Sequence, residues 1–202
     1  MEARDADGRF ARGDARRGQI IRAALREFGR KGYDATRIAD IAAAAGVTDA
    51  GVLHHFSSKR ELFLAVAEHR EAVQYGAVAI PPATFREFLD ATLEMVRRSV
   101  EDPDLVRFRV MLSAAYRAEG SPVSGRDTFL LSAALDWLRP TIARAIDAGE
   151  LASWVDPEQL TLEVIALNDG IRNQWAALPD RVDYPRVLAA AYDGLYERAR
   201  AR

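Results

Sequence analysis

The stretch from Thr36 to Leu62, TRIADIAAAAGVTDAGVLHHFSSKREL, leaves this chain few ways to fold. Ile38, Ile41, Ala42 and Ala45 recur at the three-and-four spacing of a single buried helix face, with Thr36 placed to cap the helix start. Gly46 ends that helix, because the residue just past a helix commonly takes a left-handed backbone that glycine adopts without strain. Thr48 then caps a second short helix, whose Val52 and Phe56, four apart, face the same core. Asp49, Ala50, Leu53 and His54 are left on its flanks and outer side, with His55 beside Phe56. Ser58 to Glu61 has the form of a capping box opening a third helix. Lys59 and Arg60 lie in its first turn, where cations oppose the helix dipole by roughly 0.3–1 kcal/mol each at worst. A phosphate docked there would reverse that sign. The pattern is a helix-turn-helix.

The remaining punctuation yields helices throughout. Residues 1–16 carry mixed charge and little apolar surface, which predicts a flexible basic arm in which Arg9, Arg12, Arg16 and Arg17 are available to a minor groove or to phosphates. From Arg17 to Lys31 an amphipathic helix places Ile20, Ile21, Ala24, Leu25 and Phe28 on one face, completing a three-helix core over residues 17–57. A connecting helix is predicted over 58–74, with Leu62, Phe63, Val66 and Val73 inward and Pro81-Pro82 beyond it. Further helices start at Thr84, which forms a second capping box with Glu87, and near Asp104. Residues 122–148 form the longest candidate, in which Pro140 is expected to break or kink the helix. Asp156-Pro157-Glu158-Gln159 and Asp183 open the last two. With about nine helices and no credible strand pair, the fold class is all-α, the domain of residues 58–202 following the three-helix head.

Composition bounds the function. The 202 residues suffice for a substantial core, cysteine is absent, and so neither a disulfide framework nor a thiolate metal site exists. No run of eighteen apolar residues occurs and the N-terminus lacks a signal-peptide core, which predicts a cytoplasmic protein with no membrane partner. The net charge of −2 hides an asymmetry: residues 1–60 carry twelve Lys and Arg against eight Asp and Glu, and residues 61–202 carry sixteen against twenty-two. The basic end is the end with the motif.

At Thr36, Ile41-Ala42, Ala45-Gly46-Val47-Thr48, Gly51-Val52-Leu53-His54-His55-Phe56, Ser58-Lys59 and Leu62 the chain resembles the TetR family of bacterial one-component regulators. It departs at Leu53, where the commonest family pattern has a tyrosine that often touches a phosphate. The resemblance implies a homodimeric regulator, most simply a repressor released from a palindromic double-stranded DNA operator by an unidentified small molecule. Lys59, Thr36, His55 and the amides opening the Ser58 helix would hold phosphates; Thr48, Asp49, Ala50, Gly51 and His54 would meet base edges. Asp49 must accept from a cytosine amino group or turn away, toward Arg37. The effector pocket is expected among Phe88, Met95, Phe108, Met111, Tyr116, Phe129, Trp137, Asn168 and Arg172. Residues 166–175, ALNDGIRNQW, are similar to a C-terminal pattern of one family branch in which the last two helices pair with their symmetry mates. This implies dimerisation through Leu160, Val164, Leu167, Ile171, Trp175, Leu188, Tyr192 and Leu195.

No catalytic residues, metal site or cofactor are expected. His54 and His55 are adjacent on a helix, His69 stands alone, and Asp102 and Asp104 flank a proline as helix-end punctuation. No phosphate loop or nucleophile elbow occurs. The rival readings are a helical ligand-binding protein without DNA function and a small all-α enzyme.

Overall fold

The computed structural model describes residues 2–76 and 82–201, with side chains placed for 14–70, 82–126 and 128–201. The side chains of Arg9, Arg12 and Val73, and the whole of Pro81, lie outside these described residues. Among the described residues nine helices follow one another: α1 (Glu2–Lys31), α2 (Ile38–Ala45), α3 (Asp49–His55), α4 (Lys59–Gly76), α5 (Phe85–Ser99), α6 (Pro103–Arg117), α7 (Arg126–Asp147), α8 (Pro157–Ala177) and α9 (Tyr184–Ala199). Among the described residues the sole extended pairing is an isolated bridge between Leu151 and Arg200. No helix there is long and apolar enough to cross a membrane.

Three local expectations are corrected. The stretch expected as a flexible arm, 1–16, is helical from Glu2 and continuous with α1. Extending an existing helix through good formers such as Ala11, Arg12, Ala15 and Arg16 requires no new nucleus. Of the break or kink expected at Pro140, the break does not occur: α7 starts at Arg126 and runs through it to Asp147. Pro140 and Asp136 are both exposed, so water can satisfy the carbonyl that the proline leaves without a donor. Thr36 does not cap α2, whose N-cap is Arg37. Thr48, Thr84, Asp156 and Asp183 cap their helices as the sequence predicts, all accepting from first-turn amides, whereas α6 and α7 follow Asp102 and Gly125 without a side-chain cap.

The apolar faces assemble into two cores. One unites Ile20, Ala24 and Phe28 of α1, Ile41 and Ala42 of α2, Val52 and Phe56 around α3, Leu62, Phe63 and Val66 of α4, and Phe108, Leu112 and Tyr116 of α6. The other is built from α5, α7, α8 and α9, with Val106 entering it from α6. Helix α6 therefore belongs to both, one face to each. Its approach to α1 is close because Gly29 has no side chain: a Cβ there would lie 2.5 Å from the Asp104 carbonyl oxygen and 3.0 Å from the Phe108 nitrogen. At the far end, the Glu150 carboxylate accepts from the amides of Phe85 and Arg86, both at 2.9 Å, tying the start of α5 to the turn after α7.

In an open helix Gly→Ala is worth up to about 1 kcal/mol in favour of folding. Here the added methyl meets backbone, and overpacking of that kind costs about 1–3 kcal/mol. Gly29→Ala is therefore expected to lower stability by about 1–3 kcal/mol in urea unfolding followed by helical circular dichroism, whereas unchanged or raised stability would refute the close α1–α6 contact.

Candidate nucleic-acid interface and effector site

The helix-turn-helix is fixed from below by apolar anchors and from the sides by caps. Ile41 and Val52 are fully buried and Ala42 and Phe56 nearly so. Gly46 takes φ 65°, and the amide of Val47 returns to the Ala42 carbonyl at 3.0 Å, closing α2 and turning the chain into Thr48. The Thr48 hydroxyl accepts from Gly51 N at 3.1 Å, which sets the start of α3. The outward row is then Thr48, Asp49, Ala50, Leu53 and His54, all exposed, with Gly51 and His55 half-buried beside it. Leu53 is 46% exposed, an apolar side chain held in solvent at the centre of this row. Among the described residues no cation pairs with Asp49; Arg37, its expected partner, instead gives its backbone amide to the Asp40 carboxylate at 3.3 Å.

Two residues expected at phosphates have internal partners. Thr36 is buried, and its hydroxyl donates to the Gly32 carbonyl at 2.6 Å, with the Glu27 carbonyl at 3.2 Å. The Lys59 ammonium donates to the carbonyls of Tyr33 at 2.9 Å, Thr36 at 3.1 Å and Asp34 at 3.3 Å, and stands 4.5 Å from the centre of the Tyr33 ring. Lys59 thus locks the α1–α2 turn to the start of α4. The capping box there is shifted by one residue: Ser58 accepts from Glu61 N at 3.1 Å, and the Glu61 carboxylate reaches back to the Ser57 amide at 2.7 Å. Arg17 lies over the Phe56 ring at 4.9 Å, so this residue of the expected arm covers the end of α3.

A charged latch joins α1 to α2. The Glu27 carboxylate pairs with Arg30 at 2.6 Å and Lys31 at 2.8 Å, and Lys31 also reaches Asp40 at 3.0 Å. Burial pushes the Glu27 carboxyl up, but the hydrogen bonds and charges of Lys31 and Arg30 outweigh it and leave its pKa below the ordinary 4.5. A carboxyl lowered on folding contributes stability that is complete above its unfolded value and lost as pH falls through the folded one.

The expected effector residues do not surround a common space. Phe108, Met111 and Tyr116 pack into the core shared with the helix-turn-helix. Phe88 and Trp137 meet each other at 5.5 Å beside the second core, Met95 is half-buried, and Phe129 is 69% exposed. Asn168 is bound by two tyrosines of α9: Tyr184 donates to its oxygen at 2.9 Å, and its amide nitrogen lies 3.3 Å from the Tyr192 hydroxyl. Arg172 is buried and pairs with Asp169 at 2.9 Å rather than with Asn168. It lines a small cavity with Arg70, Arg109, Ser99, Leu105, Val106 and Tyr184. Sequence reasoning missed Arg70 and Arg109, although their register carried a signal. Arg70 follows Phe63, Val66 and Ala67 on the buried stripe of α4, and Arg109 stands between Leu105 and Leu112 on that of α6.

Of the residues expected at a dimer interface, Leu160, Val164, Ile171, Trp175, Leu188, Tyr192 and Leu195 are already buried within the subunit core. Leu167 and an edge of Leu195 instead border an open groove between α8 and α9, together with Glu163, Ala166, Ala191, Gly194 and Arg198. Leu162 and Val187 are exposed on the same two helices.

Comparison with known proteins agrees with this geometry. The sequence profile described as bacterial regulatory proteins, tetR family, matches residues 20–66, which run from α1 into α4. The HTH-type transcriptional regulator TtgR of Pseudomonas putida is 30% identical over 178 residues, covering 83% of each chain. Among solved structures, a TetR-family regulator from Agrobacterium tumefaciens superposes with a TM-score of 0.77 at 20% identity, over 94% of this chain and 100% of that one. A TetR regulator from Chloroflexus aurantiacus gives 0.74 at 26% identity, over 93% and 95%.

Acidification tests the latch. Glu27→Gln is expected to cost about 1–2 kcal/mol at neutral pH and to flatten the loss of stability as pH falls below the ordinary carboxyl value of 4.5. Equal slopes for the two proteins in denaturant titrations at each pH would show that Glu27 carries none of that dependence.

Proposed function

The chain belongs to the TetR family of bacterial regulatory proteins, and on that premise we propose that it is a homodimeric repressor released from a palindromic operator by a small molecule. Members of this family are DNA-binding regulators and not enzymes, which removes both rival readings. The division of labour we infer gives DNA reading to residues 17–57 and effector binding and dimerisation to 58–202, with α4 as the covalent connection.

The observation that carries the DNA reading is the outward row of α3. Thr48, Asp49, Ala50 and His54 are exposed on a helix whose own contacts are all made from the opposite face. Short side chains at its start let the helix backbone sit deep in a major groove, where Thr48, Asp49 and His54 have groups able to meet base edges and Ala50 and Leu53 can meet a thymine methyl. His55 and the opening amides of α4 are assigned to phosphates. Lys59 takes a double role, its charge facing the DNA backbone while its donors hold the α1–α2 turn. Two such helices related by a dyad would read half-sites one helical turn apart, about 34–36 Å, or a multiple of it.

For the dimer, the support is the open groove between α8 and α9. Small residues at Ala166, Ala191 and Gly194 leave the backbone accessible, and a Cβ added at Gly170 or Gly194 would meet nothing within 4 Å. We assign these outer faces, rather than the buried stripes, to the partner subunit.

Footprinting on the DNA flanking the gene is expected to reveal one protected dyad site; absence of any specific protection would overturn the repressor reading. On that site, Lys59→Met should weaken binding with a shallower salt dependence, by about one unit of slope, and also lower the unfolding midpoint. A loss of affinity without loss of stability would remove the turn-locking role. In sedimentation at micromolar concentration the protein is expected to be a dimer and Gly194→Arg a folded monomer, and a dimeric Gly194→Arg would place the interface elsewhere.

A further inference from the structure

Arg70, Arg109 and Arg172 come from α4, α6 and α8 to line one cavity at the seam between the two cores, with Leu105 on one side belonging to the first core and Val106 to the second. Among the described residues these three guanidinium groups have one ion-paired carboxylate, Asp169, which pairs with Arg172 Nη2 and is itself 47% exposed. Arg172 is 2% and Arg70 7% exposed, yet Arg172 Nε and Nη1 and Arg70 Nε have no hydrogen-bond partner among the described residues. Buried donors of this kind are ordinarily paired, and buried charges are ordinarily neutralised. The cationic form of Arg109 is disfavoured by lost hydration and by the charges of Arg172 and Arg70, which bring its pKa down to about 9. Among the described residues three arginines on three apolar stripes thus converge with Asp169 as their one ion-paired carboxylate.

We propose that this cluster is an oxyanion site that binds the carboxylate of a small organic acid, and that this acid is the effector class of the regulator. The proposal rests on the regulator reading for the word effector, but not for the binding itself. A carboxylate fits because it accepts several N–H bonds at once and guanidinium groups present paired donors to it. Leu105 and Val106 supply apolar wall for the carbon skeleton that an inorganic anion lacks. The cavity is about 10 Å³, close to the room needed by one water molecule. A head group larger than water must therefore shift the helices that carry the arginines. Two of these helices belong to the core of the DNA-reading head: α4 begins at Lys59, and Arg109 is the immediate neighbour of Phe108, which packs 6.2 Å from Phe63 and against the gap at Gly29.

The test is thermal unfolding of the full chain at constant ionic strength with acetate, benzoate or octanoate, each beside its neutral amide, and with inorganic phosphate. The expected result is that carboxylates raise the melting temperature by about 3–5 °C for each tenfold excess over Kd while their amides do not. Arg109→Met should abolish the response and, by removing its repulsion with Arg172 and Arg70, melt higher than the wild type without added carboxylate. Equal effects of acid and amide, or a response that persists in Arg109→Met, would overturn the site. No carboxylate response together with a lower-melting Arg109→Met would show the arginines to be structural and overturn it as well. Phosphate acting as strongly as every carboxylate would overturn the organic-acid assignment. Failure of the carboxylates with a footprint intact defeats this inference alone, whereas a carboxylate response without a footprint defeats the repressor reading alone.

Discussion

The contact on which the rest of the molecule depends is the crossing of α6 on α1 at Gly29. Without a side chain at that position the Asp104 carbonyl and the Phe108 amide come close to the α1 backbone, and the Phe108 ring enters the core beneath the helix-turn-helix. Short helices such as α2 and α3 cannot bury their own apolar faces, so their positions are inherited from α1 and α4. Since α6 also contributes Val106 to the second core, the DNA-reading end is attached to the body covalently through α4 and by packing through α6. Close-packed contacts of this kind are not continuously deformable, so a movement of α6 is passed on rather than absorbed.

Much of this architecture was legible because helices announce themselves locally. The stripes of Ile41 and Ala42, of Val52 and Phe56, and of Leu62, Phe63 and Val66 gave the buried faces, and Thr48, Thr84, Asp156 and Asp183 gave the starts. What escaped was set by partners distant in sequence. Thr36 reads as a cap from its neighbours, yet its hydroxyl bonds to Glu27 and Gly32. Lys59 reads as a free cation in a helix's first turn, yet its donors meet carbonyls 23 to 26 residues earlier. On α8 and α9 the strongest apolar stripe identifies the subunit's own core, and the weaker, small-residue face that periodicity ranks second is the one left open.

The same contrast separates the two functional regions. On α3 the reading surface is assembled from consecutive residues, so the sequence carries its composition: short side chains, one carboxylate, one imidazole and the exposed Leu53 in place of the hydroxyl that the commonest pattern would supply. A leucine has no donor for a phosphate, so whatever it contributes to DNA comes from apolar contact with a base and is sequence-dependent. The effector region has no such contiguous signature. Its aromatics fill space, and its distinguishing feature is charge in the wrong place, three arginines each in register with apolar neighbours on a different helix. Each is one arginine among many in the sequence, and its place on an apolar stripe is the sole sign that sets it apart.

A switch requires the ligand to favour one arrangement of the subunits over another, since equal affinity for both shifts nothing. Uncompensated charge at a seam supplies that asymmetry in physical terms. The arginines repel one another around a cavity with room for about one water, so the packing of α4, α6 and α8 is held against an electrostatic load. An anion removes the load but needs volume that this packing does not have. Relief of repulsion and demand for space therefore act on the same three helices, and two of those helices are the ones that hold the DNA-reading core in place.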